Sequence, residues 1–167
     1  GAVDSYRQAI KIKPDYAEAY NNMGVALRSH GDLDGAIGSY KSSIKIKSDY
    51  AEAFYNLGSA LGATGDLDKS LESYQQAIKI NAFYAEAYNN MGMIFFEKGE
   101  FERGVNSYRY AIQINPDFAE AHYNLGVELL KKHKVQEGFQ LLECRWKTRG
   151  NIGTYLVTSK PAWSGEV

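Results

Sequence analysis

One cysteine, three prolines and three histidines in 167 residues leave little material for several kinds of chemistry. With Cys144 as the only thiol, an internal disulfide and a thiol-based metal cluster are both excluded, and a reducing, cytoplasmic setting fits that usage. His30, His122 and His133 fall at a helix end, a core-type column and a turn, with no carboxylate or second histidine at ligand spacing, so no metal or other cofactor is indicated. The net charge is −1, which points to neither a nucleic-acid track nor a membrane-surface patch. The one basic run, Lys131, Lys132, His133 and Lys134, reads as a solvated loop. No apolar stretch is long enough to span a bilayer. Glycine-rich phosphate loops and a Ser, His and Asp set are also missing, so nothing here argues for catalysis within these residues.

What the chain has in quantity is glycine and tyrosine, and both recur in register. An Ala-Glu-Ala phrase followed by an aromatic or His opens at Ala17, Ala51, Ala85 and Ala119, a period of 34 residues. That is the length of one helix-turn-helix unit, which cannot bury its own apolar face and must stack on a neighbour. The fourth column reads Tyr20, Phe54, Tyr88 and His122, and the seventh Met23, Leu57, Met91 and Leu125. The eighth is Gly24, Gly58, Gly92 and Gly126, and the eleventh Leu27, Leu61, Phe95 and Leu129. This three-four spacing is one buried helix face. A break at Gly31-Asp32, Gly65-Asp66 and Gly99-Glu100 predicts a glycine-terminated helix and an acid-started second one, with His133 replacing the glycine in the last unit. The second helix carries Tyr40, Tyr74 and Tyr108, then Ile44, Ile78 and Ile112, and closes at Pro116 or its replacements Ser48 and Ala82. Small residues in the eighth column and at Ala36, Ser70 and Gly104 predict a close approach of the paired helices.

These columns together resemble the tetratricopeptide repeat. The resemblance implies an all-α, right-handed α-solenoid of antiparallel helix pairs with an irregular C-terminal tail. It covers residues 1 to about 144: a half repeat at 1–14, full repeats at 17–50, 51–84 and 85–118, and at 119–148 a divergent repeat or capping helices, followed by an extended tail or linker at 149–167. The half repeat, with Ala2, Tyr6, Ala9, Ile10, Ile12 and Pro14 in the second-helix columns, suggests a fragment of a longer array. Its face over residues 3–12 is expected to be covered by another molecule, and a disordered 1–14 segment would contradict that.

In tetratricopeptide arrays the first helices line the concave side, which the resemblance carries onto named residues here. The sixth column is asparagine throughout: Asn22, Asn56, Asn90 and Asn124. An amide can pair with both the C=O and the N–H of an extended peptide. The row resembles the asparagine ladder of O-linked N-acetylglucosamine transferase; equally, it can serve local hydrogen bonds. Glu18, Glu52, Glu86 and Glu120 form an acidic row, and Asn21, Tyr55, Asn89 and Tyr123 alternate beside it. Val25, Met93, Phe96, Val127 and Leu130 supply apolar patches, with packing between repeats as the other role of Met93 and Phe96. A partner with apolar and basic residues suits this surface. Only Arg28 and Lys131 are cationic in it, too few for the carboxylate grip of chaperone-binding tetratricopeptide domains.

From Leu141 the helical period stops. Glu143, Arg145, Trp146, Pro161, Trp163, Gly165 and Glu166 resemble the junction to a glycosyltransferase-like domain in bacterial tetratricopeptide proteins, and the two tryptophans also suit a cap on the last repeat. The resemblance implies a scaffold, itself non-catalytic, that binds a protein or extended peptide in its groove, with neither nucleic acid nor membrane as partner. Two alternatives stand beside it. One is the substrate-recruiting fragment of a glycosyltransferase; the other is a self-assembly module that pairs through the open N-terminal helix.

Overall fold

The computed structural model describes the backbone of residues 1–148 and side chains through Leu142. These residues form α1 (Ala2–Ile12), α2 (Ala17–Ser29), α3 (Leu33–Ile46), α4 (Ala51–Ala63), α5 (Leu67–Ile80), α6 (Ala85–Glu97), α7 (Phe101–Ile114), α8 (Ala119–Lys131) and α9 (Val135–Thr148), and among them there is no strand. The helices pack as pairs α2/α3, α4/α5, α6/α7 and α8/α9, each pair resting on the next, which is an α-solenoid. Residues 2–12 are helical, with none of them buried. The backbone stays helical through Thr148, beyond Leu141 where the apolar period is lost, because the turn before it still launches a helix. The side chains of Glu143, Arg145 and Trp146, together with Pro161, Trp163, Gly165 and Glu166, lie outside the described residues.

The turn inside each pair is closed by a recurring set of backbone bonds. After α2 the N–H of Asp32 reaches the carbonyl of Leu27 and that of Gly31 reaches Arg28, the crossed pair that closes a helix with a left-handed residue. The same pair recurs from Asp66 to Leu61, Glu100 to Phe95 and Lys134 to Leu129. Gly31, Gly65 and Gly99 adopt φ of 82°, 84° and 76°, and His133 is forced to 59° in their place. Asp32 and Asp66 then cap the second helix by accepting from Gly35 N and Lys69 N. His133→Gly is expected to raise stability by about 0.5–1 kcal/mol, since relief of the left-handed strain exceeds the added chain entropy. Urea unfolding checks this; equal or lower stability would show that His133 makes a compensating contact.

The glycine column exists to admit a ring. A Cβ on Gly24, Gly58 or Gly92 would stand 2.6, 2.9 or 2.6 Å from the ring of Tyr40, Tyr74 or Tyr108. In the fourth pair Leu142 takes the place of the tyrosine, 3.0 Å from such an atom on Gly126. The close approach predicted for the small columns is thus chiefly helix against aromatic ring. Serine adds a bond in two units, where Ser70 Oγ donates to the Gly58 carbonyl at 2.7 Å and Ser43 Oγ to the Ala17 carbonyl at 2.8 Å.

The apolar core runs continuously from each unit into the next. Tyr40 and Ala36 of one unit pack with Leu57, Ala60 and Leu61 of the next. Leu71 and Tyr74 meet Ala87, Met91, Ile94 and Phe95, and Val105 and Tyr108 meet Leu125 and Leu129. Each junction needs both neighbours, which is why the structure is quasi-one-dimensional.

Candidate groove and its polar ladder

Contacts between first helices, α2 with α4 and α6 with α8, put them on the inner side of the curve. The asparagine column sits there, but most of its amides are directed into the junctions. Asn56 Nδ2 donates to Asn21 Oδ1 at 3.0 Å, Asn90 Nδ2 to the Tyr55 hydroxyl at 3.3 Å, and Asn124 Nδ2 to Asn89 Oδ1 at 3.1 Å. Each of these three sixth-column amides therefore bonds to the fifth-column residue of the unit before it, whereas Asn22 has no preceding unit to reach. The alternation of Asn and Tyr in the fifth column changes the acceptor and leaves the bond in place.

The fifth-column asparagines complete the ladder. Asn21 is fully buried and donates to Glu52 Oε1 at 3.1 Å and to the Tyr50 hydroxyl at 3.5 Å. Asn89, also buried, donates to Glu120 Oε1 at 3.1 Å and Asn90 Oδ1 at 3.4 Å. Both oxygens and hydrogens of these amides are used, as burial requires. Asn90 makes a second bond, to the Tyr74 hydroxyl at 3.2 Å. Arg28 spans the first junction likewise, donating to Ser59 Oγ at 2.6 Å.

The remaining candidate residues divide into two kinds. Asn22, Glu52, Glu86, Met93 and Tyr123 are exposed, Met93 at 50%. Phe96 is half-buried: its ring stacks on Tyr108 at 5.4 Å, meets Phe101 edge-on, and fills the space a Cβ on Gly104 would take. Tyr55 is half-buried and stacks on Tyr84 with centroids 4.8 Å apart. Burial foremost, with the Glu86 carboxylate acting in the same direction, raises the pKa of the Tyr55 hydroxyl against the bond from Asn90. Tyr84 is shifted further up, by burial first and then by Tyr55, Glu52 and Glu86. Tyr50 is raised by burial and by Glu52 and Glu18.

Tyr50 and Tyr84 were not singled out from the sequence. Their signal was the aromatic column Tyr16, Tyr50, Tyr84 and Phe118 that immediately precedes each Ala-Glu-Ala phrase. Among the described residues no group of three or more His, Cys, Asp and Glu side chains is assembled for a metal, and no helix is long and apolar enough to cross a membrane.

The TPR repeat model matches residues 1–31, 26–65, 61–99 and 92–132. No curated protein matches the chain. Among solved structures, one titled as the crystal structure of MamA is 27% identical, covers 89% of this chain and 87% of its own, and superposes with a TM-score of 0.81. MamA from Desulfovibrio magneticus RS-1 is 18% identical, with coverage of 88% and 83% and a TM-score of 0.78. PilF of Pseudomonas aeruginosa is 16% identical, with coverage of 88% and 67% and a TM-score of 0.80; these two show likeness of fold. The chain belongs to the TPR repeat family, whose arrays are scaffolds for protein interaction.

Proposed function

We propose that the inner face binds an extended peptide or partner protein. The observation that carries this reading is the juxtaposition, on one face, of the acidic column Glu18, Glu52, Glu86 and Glu120 with the exposed side chains of Val25, Met93 and Tyr123. Polar groups for a peptide backbone remain beside them. Asn22 has no intramolecular partner among the described residues, and the Oδ1 of Asn124 is likewise unused by the ladder.

The bridging amides make Asn56→Ala with Asn90→Ala a poor test, because that variant also loosens two junctions. Asn22→Ala with Met93→Ser changes exposed groups instead. Against a displayed library of unstructured peptides, this variant is expected to lose about tenfold in affinity while melting as the parent does. Undiminished binding at equal stability would remove the inner face from the account.

Self-association through α1 is a second reading, supported by the exposure of Ile12 at 85% and of Ala2 and Ser5, whose equivalents Ala36 and Ser39 are buried. A single monomeric species across a wide range of concentrations in sedimentation would overturn it. A substrate-recruiting role for the array draws on the asparagine row of the same inner face together with the tail signature from Glu143 to Glu166, whose side chains lie outside the described residues, and the same peptide binding tests its first part.

A further inference from the structure

The repeat supplies its own comparison for a cation site. In the first full unit Lys47 Nζ lies 3.3 Å from Glu18 Oε1 and 4.8 Å from the centroid of the Tyr50 ring. An ammonium is thus held between a carboxylate and an aromatic face, as cation–π geometry favours. Lys13 covers Tyr16 in the same manner, at 5.3 Å. One period later the lysine column changes to Asn81, while the carboxylate and ring are kept as Glu52 and Tyr84. Asn81 turns back on its own loop, where its Oδ1 accepts from Phe83 N at 3.1 Å. Among the described residues no cation lies over Tyr84, and neither Glu52 nor Glu86 has an ion-pair partner.

The surroundings of Tyr84 suit a cation from outside the chain. Its ring is held by the stack on Tyr55, a fifth-column residue of the inner face, which places it beside the groove. Both Glu52 and Glu86 act on its hydroxyl, which puts two carboxylates within electrostatic reach of one ring. Among the described residues Glu52 accepts only from neutral groups, the Asn21 amide and the Tyr50 hydroxyl, so its charge is not neutralised there.

We propose that Glu52 and Tyr84 form a subsite for the ammonium of a lysine side chain on a bound extended peptide, in the place Lys47 fills from within the chain one unit earlier. This assignment rests on the inner-face reading above and adds the chemistry of the partner to it. The peptide carries lysine at this point and apolar residues toward Met93 and Tyr123.

The test uses two fluorescent decapeptides, one alternating valine and lysine and one with glutamine for lysine, titrated with the whole chain and followed by anisotropy. The lysine peptide is expected to bind about tenfold tighter than the glutamine peptide. Asn81→Lys places the chain's own ammonium in the slot and is expected to abolish that preference, as is Glu52→Gln. Gln76→Lys, which adds the same charge on the exposed side of α5, is expected to change it by less than about twofold. If Asn81→Lys and Glu52→Gln both keep the preference while both peptides bind, the slot is wrong and the groove stands. If the parent chain binds neither peptide, both readings fall.

Discussion

Tyr40→Ala is expected to cost about 3–5 kcal/mol, the range for removing a fully buried aromatic ring from a packed core. Tyr40 has no exposed surface, and its ring joins Ala36 of its own helix to Leu57, Ala60 and Leu61 of the next unit. It also occupies the groove left open by Gly24, where a Cβ would approach ring atoms to 2.6 Å. Because each unit contacts only its neighbours, the loss is expected to be local. Hydrogen exchange should show α2 and α3 unprotected first, with α6 to α8 retained. A uniform loss of protection along the chain would mean that the array unfolds as one body.

The glycine and the tyrosine are one device, and a double-mutant cycle tests that. Gly24→Ala alone is expected to cost about 1–3 kcal/mol by overpacking against the ring. In the Tyr40→Ala background the clash is gone, so the same change should cost less than about 0.5 kcal/mol. The hydroxyl behaves differently from the ring. Tyr40 OH is buried without a partner, whereas Tyr74 OH accepts from Asn90. Tyr40→Phe should therefore leave stability unchanged or raised, and Tyr74→Phe should lower it by about 1 kcal/mol.

The parts of the fold that were legible in the sequence are those set within a single unit. The crossed turn bonds follow from Gly31, Gly65 and Gly99, and the close approach of the paired helices follows from the small columns, although the group that enters at the eighth-column glycine is the second-helix tyrosine rather than Ala36, Ser70 or Gly104. What was not legible depends on contacts across one whole period. A helical wheel places Asn56, Asn90 and Asn124 on the inner face, but it cannot show that each is turned toward a residue 35 positions earlier. Phe96 illustrates the same limit: its column points inward, yet the absence of a side chain at Gly104 opens a gap that the ring enters. Ala36 and Ser70 stand in that column in the first two units and glycine again at Gly138, where Leu130 enters in the same way, so the change to glycine was the available signal. The lysine-to-asparagine change at residue 81 was equally visible, and acquired meaning only once Lys47 was seen between Glu18 and Tyr50.

Asn21→Leu is expected to cost about 2–3 kcal/mol, although the change increases apolar burial. Asn21 accepts from Asn56 and donates to Glu52 and Tyr50, so leucine strands the Asn56 amide hydrogen in a buried site and withdraws a donor from a carboxylate. The neighbouring Asn22→Leu is a sharp control. One residue away and exposed, Asn22 should change stability by less than about 0.5 kcal/mol. Adding Asn56→Leu to Asn21→Leu removes the stranded group, and the pair should recover about 1 kcal/mol relative to the sum of the single changes. Additive costs would show that the two amides stabilise the junction independently. Coupled costs would mean that the ladder fixes the angle between units, and thus the spacing of Glu18, Glu52, Glu86 and Glu120 along the groove. Peptide affinity measured on ladder variants would then report the shape of the inner face, and only exposed substitutions at matched stability would report its contacts.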